Sequence, residues 1–480
     1  MANSGSAPPS KLRILSLNCW GLKFLAKYRN ERLIEIGNQI AAASPQPDIV
    51  GLQECWTQQD YNAIRDRTRS FLPYGKFYHS GIFGGGLVIL SRWPIVESSM
   101  MRYPLNGRPA AFYRGDWYVG KGVACARIRM GPERRDVAEI FCTHLHAPYE
   151  TEPHDSYICH RTAQAWEIAK LMHGAAERGH LVIALGDFNM VPLSLAHRII
   201  ETQSPGRDVW RILHPESSIG AAKDKVEKQR GVPIPNAHFN LTVNGATCDS
   251  VLNSWRWNKA HKRRLRKGEN VVIELDVPDP NAKRLDYIFF SSGSHHDSTT
   301  GEATSEWTLE SANVGMTGRH PTLHCSLSDH FSVEATLVRS VSSATEPSRS
   351  NGPWALPETY LPISTYDEIL TTIAKYMRRE QVQRQLRLGH CLFQLVLSIG
   401  CLIGVWWVPH NYVAFILMLV STLSLSTGVI DGLMGGLFVG SELRALKEFQ
   451  WEVSNTRARA VDFSAKDSPK LSLETRREMT

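Results

Sequence analysis

The stretch LVIALGDFN, Leu181 to Asn189, indicates the fold of this chain, because an uninterrupted apolar run ends abruptly in polar residues. A short apolar run of this length is consistent with a strand buried inside a domain. Asp187 and Asn189 are two positions apart, so in extended backbone both side chains point to one face. The stretch therefore predicts a buried strand whose end presents a carboxylate and an amide.

The same pattern recurs on both sides of this stretch. Other apolar runs that mostly end in a polar residue are LRILSLN, DIVGLQE, GLVILS, AEIFCTHLH, LDYIFF and HFSVEATLV. Between them, NERLIEIGNQIAAA and HRTAQAWEIAKLMHGAAERG carry helical periodicity. The alternation predicts an α/β or α+β domain that closes near Arg339, with polar residues gathered at strand ends, where sites are commonly built.

Composition narrows the class of protein only a little. The chain has 480 residues, a formal net charge of +7 and nine cysteines. A basic chain suits an anionic partner, but nucleic acid, acidic lipid and a phosphorylated substrate all fit that description. The cysteines include no C-x-x-C pair, which argues against a disulfide framework or a zinc ribbon. The polar start MANSGSAPPSK shows no secretory signal peptide.

Two apolar segments near the end predict a membrane anchor. Residues 390–408 and 411–430 contain no Asp, Glu, Lys or Arg, and only Pro409 and His410 separate them. Such lengths predict a transmembrane helical hairpin, the alternative being a core hairpin of a soluble protein. Arg and Lys lie outside both segments and not between them, so the positive-inside rule places both outer ends in the cytosol. Small residues within 432–440 suit either dimerisation or a bend.

These observations divide the chain into segments. We predict a disordered N-terminus over 1–11, a catalytic domain over 12–339 with an insertion at about 217–280, and a linker over 340–362. A juxtamembrane helix over 363–389, begun by a capping box of Thr365 and Glu368, leads into the hairpin over 390–440. A polar tail over 441–480 follows, disordered after Trp451. Within the insertion, KAHKRRLRKG is either a solvated loop or a contact with an anionic membrane surface.

Five strand-end motifs supply the chemistry. They are LNCWG with Asn18, LQECW with Glu54, THLH with His144 and His146, GDFN with Asp187 and Asn189, and SDH with Asp329 and His330. Each alone is a common turn former or helix cap. Together they suit phosphodiester hydrolysis, for which a hard cation such as Mg²⁺ polarises a phosphoryl oxygen.

Roles follow from residue type. Glu54 assisted by Asn18 is a sufficient anchor for Mg²⁺, which prefers one or two carboxylates. Of Asp187 and Asn189, one orients the attacking water and the other donates to the phosphate. His330 is the general base, since imidazole titrates near neutral pH.

The partners of that base are less determined by sequence. The carboxylate that orients His330 is either its neighbour Asp329 or Asp286 in RLDYIFF. His144 would donate to a phosphate oxygen or to the leaving group. His146, on the same strand face, is a weaker candidate for that role.

The order LNCWG, LQE, THLH, GDFN, RLDYI, SDH resembles the DNase-I-like endonuclease/exonuclease/phosphatase superfamily. The resemblance implies a four-layer α/β sandwich of two packed sheets flanked by helices, here followed by the hairpin. Four segments are similar to the branch of neutral sphingomyelinases and inositol phosphosphingolipid phospholipases C. They are SGIFGGGLVILSRWPI, GDWYVGKG, THLHAPY and HRTAQAWE. That similarity covers about residues 12–337 and more weakly the rest.

The resemblance implies Mg²⁺-dependent cleavage of a sphingolipid to ceramide and a phosphorylated head group. It also implies stimulation by anionic phospholipids, residence in the endoplasmic reticulum or mitochondrial membrane, and no nucleic-acid partner; a homodimer is possible for the hairpin. By the family pattern Glu54 carries the metal, Asn18, Asp187, Asn189 and His144 surround the phosphate, and Asp329 with His330 supplies the base.

The segment GDWYVGKG, Gly115 to Gly122, is similar to a phosphate-binding loop but departs from it. A Walker loop needs Ser or Thr where Gly122 stands, and here a strand follows instead of a helix, which argues against ATP binding. In the family this is a P-loop-like element whose charged members are Asp116 and Lys121. Lys121 either contacts the lipid phosphate or pairs with Asp116 as a gate opened by anionic lipid; an ordinary surface hairpin is the alternative.

Three other functions compete with this interpretation. A nuclease uses almost the same residues, but has no obvious use for a membrane hairpin. An inositol polyphosphate 5-phosphatase has different residues around the equivalents of LGDFNMVP and RLDYIFF. A catalytically inactive scaffold would tolerate loss of motif residues, and none is lost. The preference between phosphocholine and inositol phosphate head groups stays open.

Overall fold

The computed structural model describes residues 8–133, 136–150, 155–292, 304–342 and 359–477. Its strands are β1 (Lys11–Asn18), β2 (Ile49–Gln53), β3 (Tyr74–Tyr78), β4 (Leu87–Ser91), β5 (Ile95–Arg102), β6 (Gly122–Arg129), β7 (Val137–His144), β8 (Leu181–Asp187), β9 (Arg207–Asp208), β10 (Asp286–Ser291), β11 (Thr304–Gly315) and β12 (Ser332–Ser342). Its helices are α1 (Arg29–Ala42), α2 (Gln58–Thr68), α3 (Asp116–Val119), α4 (Ile158–Glu177), α5 (Leu195–Gln203), α6 (Val209–Leu213), α7 (Lys225–Gln229), α8 (Ala237–Thr242), α9 (Lys259–Arg266), α10 (Ile363–Gly404), α11 (Asn411–Leu433) and α12 (Val439–Arg477).

Two six-stranded mixed sheets form the centre of the fold. The first has the strand order β11-β12-β1-β2-β4-β3, and the second β5-β6-β7-β8-β10-β9. Within them β1 with β2 and β7 with β8 run parallel, and the other neighbours run antiparallel. The predicted α/β sandwich of two packed sheets flanked by helices is confirmed.

Alternation along the strands builds separate core layers. On β1, Ile14 belongs to the buried cluster between the sheets, while Leu17 packs with α1 residues such as Ile36. This period of two is what a strand buried on both faces requires. The sheets approach so closely at Gly51 that a Cβ there would lie 1.9 Å from Leu185 Cδ1.

Strand direction gathers the polar residues. Asn18 ends β1, Glu54 directly follows β2, His144 ends β7 and Asp187 ends β8. The antiparallel β10 begins at Asp286, which is paired in register with Asp187. The carboxyl ends of both parallel pairs and the amino end of β10 therefore carry the functional side chains.

The chain divides into two compact units. The catalytic unit contains residues 1–103 and 119–359, and the helical unit contains residues 104–118 and 360–480. Most of the expected linker, from 343 to 358, and residues 1–7 of the expected disordered N-terminus lie outside the described residues. The KAHKRRLRKG segment, for which a solvated loop was one of two predictions, forms α9, capped by Asn258 Oδ1, which accepts from the His261 amide at 2.9 Å; the other prediction, a contact with an anionic membrane surface, stays a prediction.

The helical unit differs from the sequence-based boundaries in two places. Helix α10 begins at Ile363 without a side-chain cap, so the predicted capping box of Thr365 and Glu368 was wrong. Helix α12 continues to Arg477, so the prediction of disorder after Trp451 was wrong as well. The reason lies in packing: apolar residues of α12 such as Leu446 and Val453 recur at helical spacing and are fully buried.

Helices α10 and α11 form the predicted hairpin. Ser398 Oγ and Ser421 Oγ lie 2.8 Å apart between them. By length and composition the helical segments Ile363–Trp407 and Asn411–Ala465 each contain a stretch able to cross a membrane. A hydroxyl pair of this kind is a typical contact between apolar helices.

Candidate active site

His330 lies at the centre of a buried polar cluster. Its Nδ1 is 2.8 Å from Asp286 Oδ2, and its Nε2 is 3.9 Å from Asp187 Oδ2. The Asp286 carboxylate is itself held by Thr247, whose Oγ1 donates to the same Oδ2 at 2.6 Å. The pairing of β8 with β10 fixes the two carboxylates on opposite sides of the imidazole.

Asn18 links the two sheets within this cluster. Its Nδ2 donates to Glu54 Oε1 at 3.2 Å and to Asp187 Oδ2 at 2.9 Å. Its Oδ1 accepts from the Trp20 amide at 3.0 Å. One amide therefore joins carboxylates that follow β2 and end β8, as the motif pattern predicted for neighbouring side chains.

The backbone is strained at three residues that follow the ends of strands and lead into the site. Trp20, Glu54 and Asn189 have φ values of 47°, 55° and 47°, the left-handed region that residues with a Cβ seldom adopt. Such conformations persist only where surrounding contacts hold them, and they cluster at functional sites. Here each lies within two residues of a strand that carries the cluster.

The Leu145 carbonyl fixes a second set of donors. It accepts from Lys121 Nζ at 3.1 Å and from Asn189 Nδ2 at 3.1 Å. His144, next in sequence, has its Nε2 3.4 Å from Asp187 Oδ2. Lys121, Asn189 and His144 therefore converge on the edge of the cluster where Asp187 lies.

Burial and neighbouring negative charges raise the pKa values of carboxylates in the cluster. Burial raises the pKa of Asp187 to about 7, and the Asp286 charge adds to that rise. Burial also raises the pKa of Glu54 above its ordinary value, with a further contribution from Asp329. Carboxylates crowded in this way favour a bound cation, which relieves both effects.

The pKa values of the two histidines in the cluster are shifted in opposite directions. Burial, then the positive charges of Lys121 and His330, hold the pKa of His144 well below its ordinary value. Burial acts on His330 too, but the charges of Asp286 and Asp187 outweigh it and raise its pKa well above that value. Burial therefore favours the neutral form of His144, whereas the neighbouring carboxylates make His330 the more basic of the two rings.

The donor set fits a divalent metal ion. Two buried carboxylate oxygens, Glu54 Oε2 and Asp286 Oδ1, have no hydrogen-bond partner among the described residues. Ligand atoms of Asp187, Asp286 and His330 lie within 4.8 Å of one another. Carboxylate oxygens without hydrogen bonds are ligands suited to a hard cation.

Two sequence-predicted residues lie elsewhere than expected, and the role predicted for a third, Asp116, stays a prediction. The Asp329 carboxylate is 3.9 Å from Arg256 Nη2, and the carboxylate on His330 Nδ1 is Asp286. The His146 ring stacks on Tyr157, with centroids 4.9 Å apart, instead of joining the cluster. Asp116 belongs to the helical unit.

Sequence reasoning missed two supporting residues. Thr247 lies in the insertion, where no periodic pattern marks it, and it orients Asp286. Ser328 donates to the Asn18 carbonyl at 2.5 Å and accepts from the His330 amide at 3.2 Å. Its position two residues before His330, in LSDH, is the only local signal for that role.

Comparison with known proteins agrees with this geometry. Residues 15–330 match the endonuclease/exonuclease/phosphatase family. The chain is 39% identical over 448 residues to the inositol phosphosphingolipids phospholipase C of Schizosaccharomyces pombe, which covers 93% of this chain and 94% of that protein. Identity to the Saccharomyces cerevisiae protein of the same name is 31% over 477 residues, with 94% and 91% covered. Identity to human sphingomyelin phosphodiesterase 2 is 29% over 346 residues, with 72% and 68% covered.

Proposed function

The chain belongs to the endonuclease/exonuclease/phosphatase family, and from this premise we propose that it hydrolyses a sphingophospholipid to ceramide and a phosphorylated head group. The observation that carries the reaction type is the buried His330 between the carboxylates of Asp286 and Asp187. The substrate class is supported by relatives named as phospholipases C and as a sphingomyelin phosphodiesterase.

His330 acts as the general base of this reaction. Its Nδ1 donates to Asp286, so Nε2 is the atom that accepts a proton. The 3.9 Å between Nε2 and Asp187 Oδ2 exceeds a direct hydrogen bond and suits a water bridging the two atoms. As the water oxygen bonds to phosphorus, one of its protons moves to Nε2, the bond from phosphorus to the ceramide oxygen breaks, and that oxygen takes up a proton from solvent while His330 later returns its proton to solvent.

Neutral donors stabilise the phosphate as charge builds on it. His144 is held neutral by burial, so it offers an N–H to a phosphate oxygen or to the leaving oxygen without trapping a proton. Asn189 contributes an amide N–H group from just beyond the end of β8, whereas the side-chain amide of Asn18 donates to Glu54 and Asp187. Donors that are already in place cost no reorganisation when the transition state forms.

Glu54, assisted by Asn18, would hold Mg²⁺. When bound, the ion supplies Lewis-acid polarisation of a phosphoryl oxygen. Glu54 Oε2 is the ligand atom, because it is buried and has no hydrogen-bond partner among the described residues. Asn18 would serve as a ligand through Oδ1 only after its amide turns, since Nδ2 faces Glu54 in this structure.

Lys121 is proposed to contact the lipid phosphate. It is 6% exposed, and its ammonium group is held beside Asn189 by the Leu145 carbonyl that both side chains share. Asp116 is proposed as its partner in a gate that anionic lipid opens. His146, stacked on Tyr157, is proposed only to support the strand end next to His144.

The apolar hairpin is proposed to anchor the enzyme in an internal membrane, the endoplasmic reticulum or the mitochondrion, with the catalytic unit in the cytosol. Positive charges flank the hairpin and favour that orientation. They are Arg378, Arg379, Arg384, Arg387, Arg444 and Lys447. They also suit stimulation by anionic phospholipid, since each basic residue near such a surface contributes about 1 kcal/mol. A homodimer through the small residues at 432–440 is the corresponding proposal for assembly.

A substrate panel tests the function. Full-length protein in mixed micelles is given inositol phosphoceramide, sphingomyelin, an inositol polyphosphate or duplex DNA, with Mg²⁺ or with a chelator. We expect Mg²⁺-dependent ceramide release from a sphingophospholipid and none from His330→Ala. Cleavage of DNA or of the inositol polyphosphate without ceramide release would overturn the proposal while leaving the fold assignment intact.

A further inference from the structure

A cavity of about 420 Å³ lies in the catalytic unit beside the cluster around His330. Its lining includes Trp20, Trp255, Arg256, Lys262, Arg266 and Asp329. Its volume falls within the range of about 300–1,000 Å³ that is typical of small-ligand sites. None of the roles assigned above to catalytic residues uses this space.

The cavity adjoins the position of the scissile phosphate. Trp20 forms part of its wall, and the Trp20 amide donates to Asn18 Oδ1 at 3.0 Å. Asp329 forms another part and immediately precedes His330. A substituent on a phosphate held between Asn18 and His330 is therefore within reach of the cavity.

An aromatic wall of this cavity is held rigidly from behind. The rings of Trp20 and Trp255 lie 4.7 Å apart at 56°. Fully buried Arg32 places its guanidinium 4.8 Å from the first ring and 5.7 Å from the second. Because one cation already lies against these rings, their attraction for a second cation is weakened.

Positive charge dominates the rest of the lining. Arg256, Lys262 and Arg266 face a single carboxylate, Asp329, and Arg256 Nη2 lies 3.9 Å from it. Within the described residues, neither Lys262 nor Arg266 forms a salt bridge. A quaternary ammonium group offers no hydrogen-bond acceptor and is repelled here, whereas ring hydroxyls accept from lysine and arginine.

We propose that this cavity is the head-group subsite, and that Lys262 and Arg266 of α9 select an inositol-type polyhydroxyl head group over choline. The inference rests on the proposed sphingophospholipid hydrolysis and adds the location and chemistry of head-group recognition. The aromatic wall contacts the ring face, and the basic side chains of α9 donate to its hydroxyls or to an additional phosphate.

A matched pair of double variants separates a subsite from general surface charge. K262A/R266A removes two charges that line the cavity, and K259A/R263A removes two from the same helix that do not. Both are assayed as full-length protein on inositol phosphoceramide and on sphingomyelin in neutral detergent micelles. We expect K262A/R266A to lower kcat/KM at least about tenfold on inositol phosphoceramide, and less than about threefold on sphingomyelin. The control should change neither by more than about threefold.

Soluble head groups test binding at the subsite without a contribution from the lipid tails. Inositol 1-phosphate should compete with substrate in the wild type, and its inhibition constant should rise at least about tenfold in K262A/R266A but not in the control. K262Q/R266Q, which keeps the side chains polar, should behave as K262A/R266A does. It provides the same comparison if the alanine pair folds poorly.

Each other outcome overturns the inference in an identifiable way. Equal losses for both double variants on both lipids mean surface charge only. K262A/R266A could lose kcat/KM equally on both substrates and require more added anionic phospholipid than the wild type. That result means that the cavity binds an activating lipid instead. A wild type that releases no ceramide from either lipid overturns the proposed function itself, and this proposal with it.

Discussion

The Nδ1 atom of His330 lies 2.8 Å from Oδ2 of Asp286, the first residue of the strand that pairs with the Asp187 strand. A carboxylate in this position selects the tautomer that leaves Nε2 as the proton acceptor and stabilises the imidazolium formed when the proton arrives. In the proposed mechanism Asp286 is thus the positioning residue of the base, and β10 pairs it in register with Asp187.

Asp286→Asn should lower kcat by about 10³–10⁴, as when the carboxylate that orients a catalytic histidine is replaced in other hydrolases. Because the Asp286 charge raises the pKa of His330, its removal lowers that pKa. The acid limb of the pH–rate profile should therefore move to lower pH. Asp329→Asn, whose carboxylate lies near Arg256, should cost about tenfold or less. Equal losses for the two variants would contradict the assignment.

Glu54→Gln should weaken the metal site. The substitution keeps the size of the side chain and removes the charge that a hard cation requires. The Mg²⁺ concentration that gives half-maximal activity should rise at least about tenfold, and the increase in Tm on adding Mg²⁺ to the wild type should largely disappear. Glu310→Gln, which removes an exposed charge paired with Lys11, is the control. An unchanged Mg²⁺ dependence in Glu54→Gln would exclude this residue as a ligand.

Lys121→Met should lower kcat/KM for lipid by about a hundredfold, since it removes a buried donor aimed at developing negative charge. Lys76→Met is the comparison, because Lys76 donates to Ser98 Oγ at 2.8 Å on a strand that carries no residue of the cluster. If Asp116 gates Lys121, Asp116→Asn should reduce the dependence on anionic phospholipid. Full lipid hydrolysis by Lys121→Met would remove Lys121 from the site.

Asp208→Asn should destabilise the protein by about 3–5 kcal/mol at neutral pH, because it leaves Arg284 buried and unpaired. Arg284 Nη1 lies 2.8 Å and 2.7 Å from the two oxygens of Asp208. Although burial opposes it, the charge of Arg284 lowers the pKa of Asp208 to about 2. A lowered folded-state pKa means that this stability is present above the ordinary carboxyl pKa and is lost as pH falls from about 4 towards 2.

The difference in Tm between wild type and Asp208→Asn should therefore shrink over that acid range. Asp66→Asn, which removes an exposed partner of Arg69, should shift Tm little at any pH. A neutral-pH Tm for Asp208→Asn that matches that of Asp66→Asn would show that the buried pair contributes no stability.

The helical hairpin should keep the protein in the membrane. After sodium carbonate extraction at high pH, which strips peripheral proteins, the full-length chain should remain in the pellet. Asp431→Leu should weaken the hairpin, because Asp431 bridges Arg387 and His390 of the neighbouring helix. Its Tm in detergent should fall relative to that of Thr422→Leu, whose hydroxyl bonds only within its own helix. Recovery of the wild type in the carbonate supernatant would contradict membrane insertion.

Sequence reasoning located the strand ends because the signal is local. An apolar run followed by Asn18, Glu54, His144 or Asp187 is visible within a few residues, and the parallel strands bring those ends together. No local sequence signal decides whether Asp286 or Asp329 is the partner of His330. Adjacent residues point in different directions, and the partner is 44 residues away in sequence, at the start of β10 in the other sheet from β12.

The helical unit was harder to anticipate for a different reason. Hydropathy changes at the expected membrane boundary near His390, but backbone hydrogen bonding does not, so α10 runs unbroken from Ile363 to Gly404. Residues beyond Trp451 look too polar to fold alone. They are helical because α12 buries a stripe that includes Leu446 and Val453, and that stripe requires a partner helix to be recognised.

The most direct test of the central claim is hydrolysis of the sphingophospholipid in H₂¹⁸O by full-length protein with Mg²⁺, followed by mass spectrometry of both products. If water activated by His330 attacks phosphorus, one ¹⁸O atom appears in the phosphate of the released head group and none in ceramide. His330→Ala should abolish that labelled product. Label in the ceramide hydroxyl, or undiminished turnover by His330→Ala, would contradict the account.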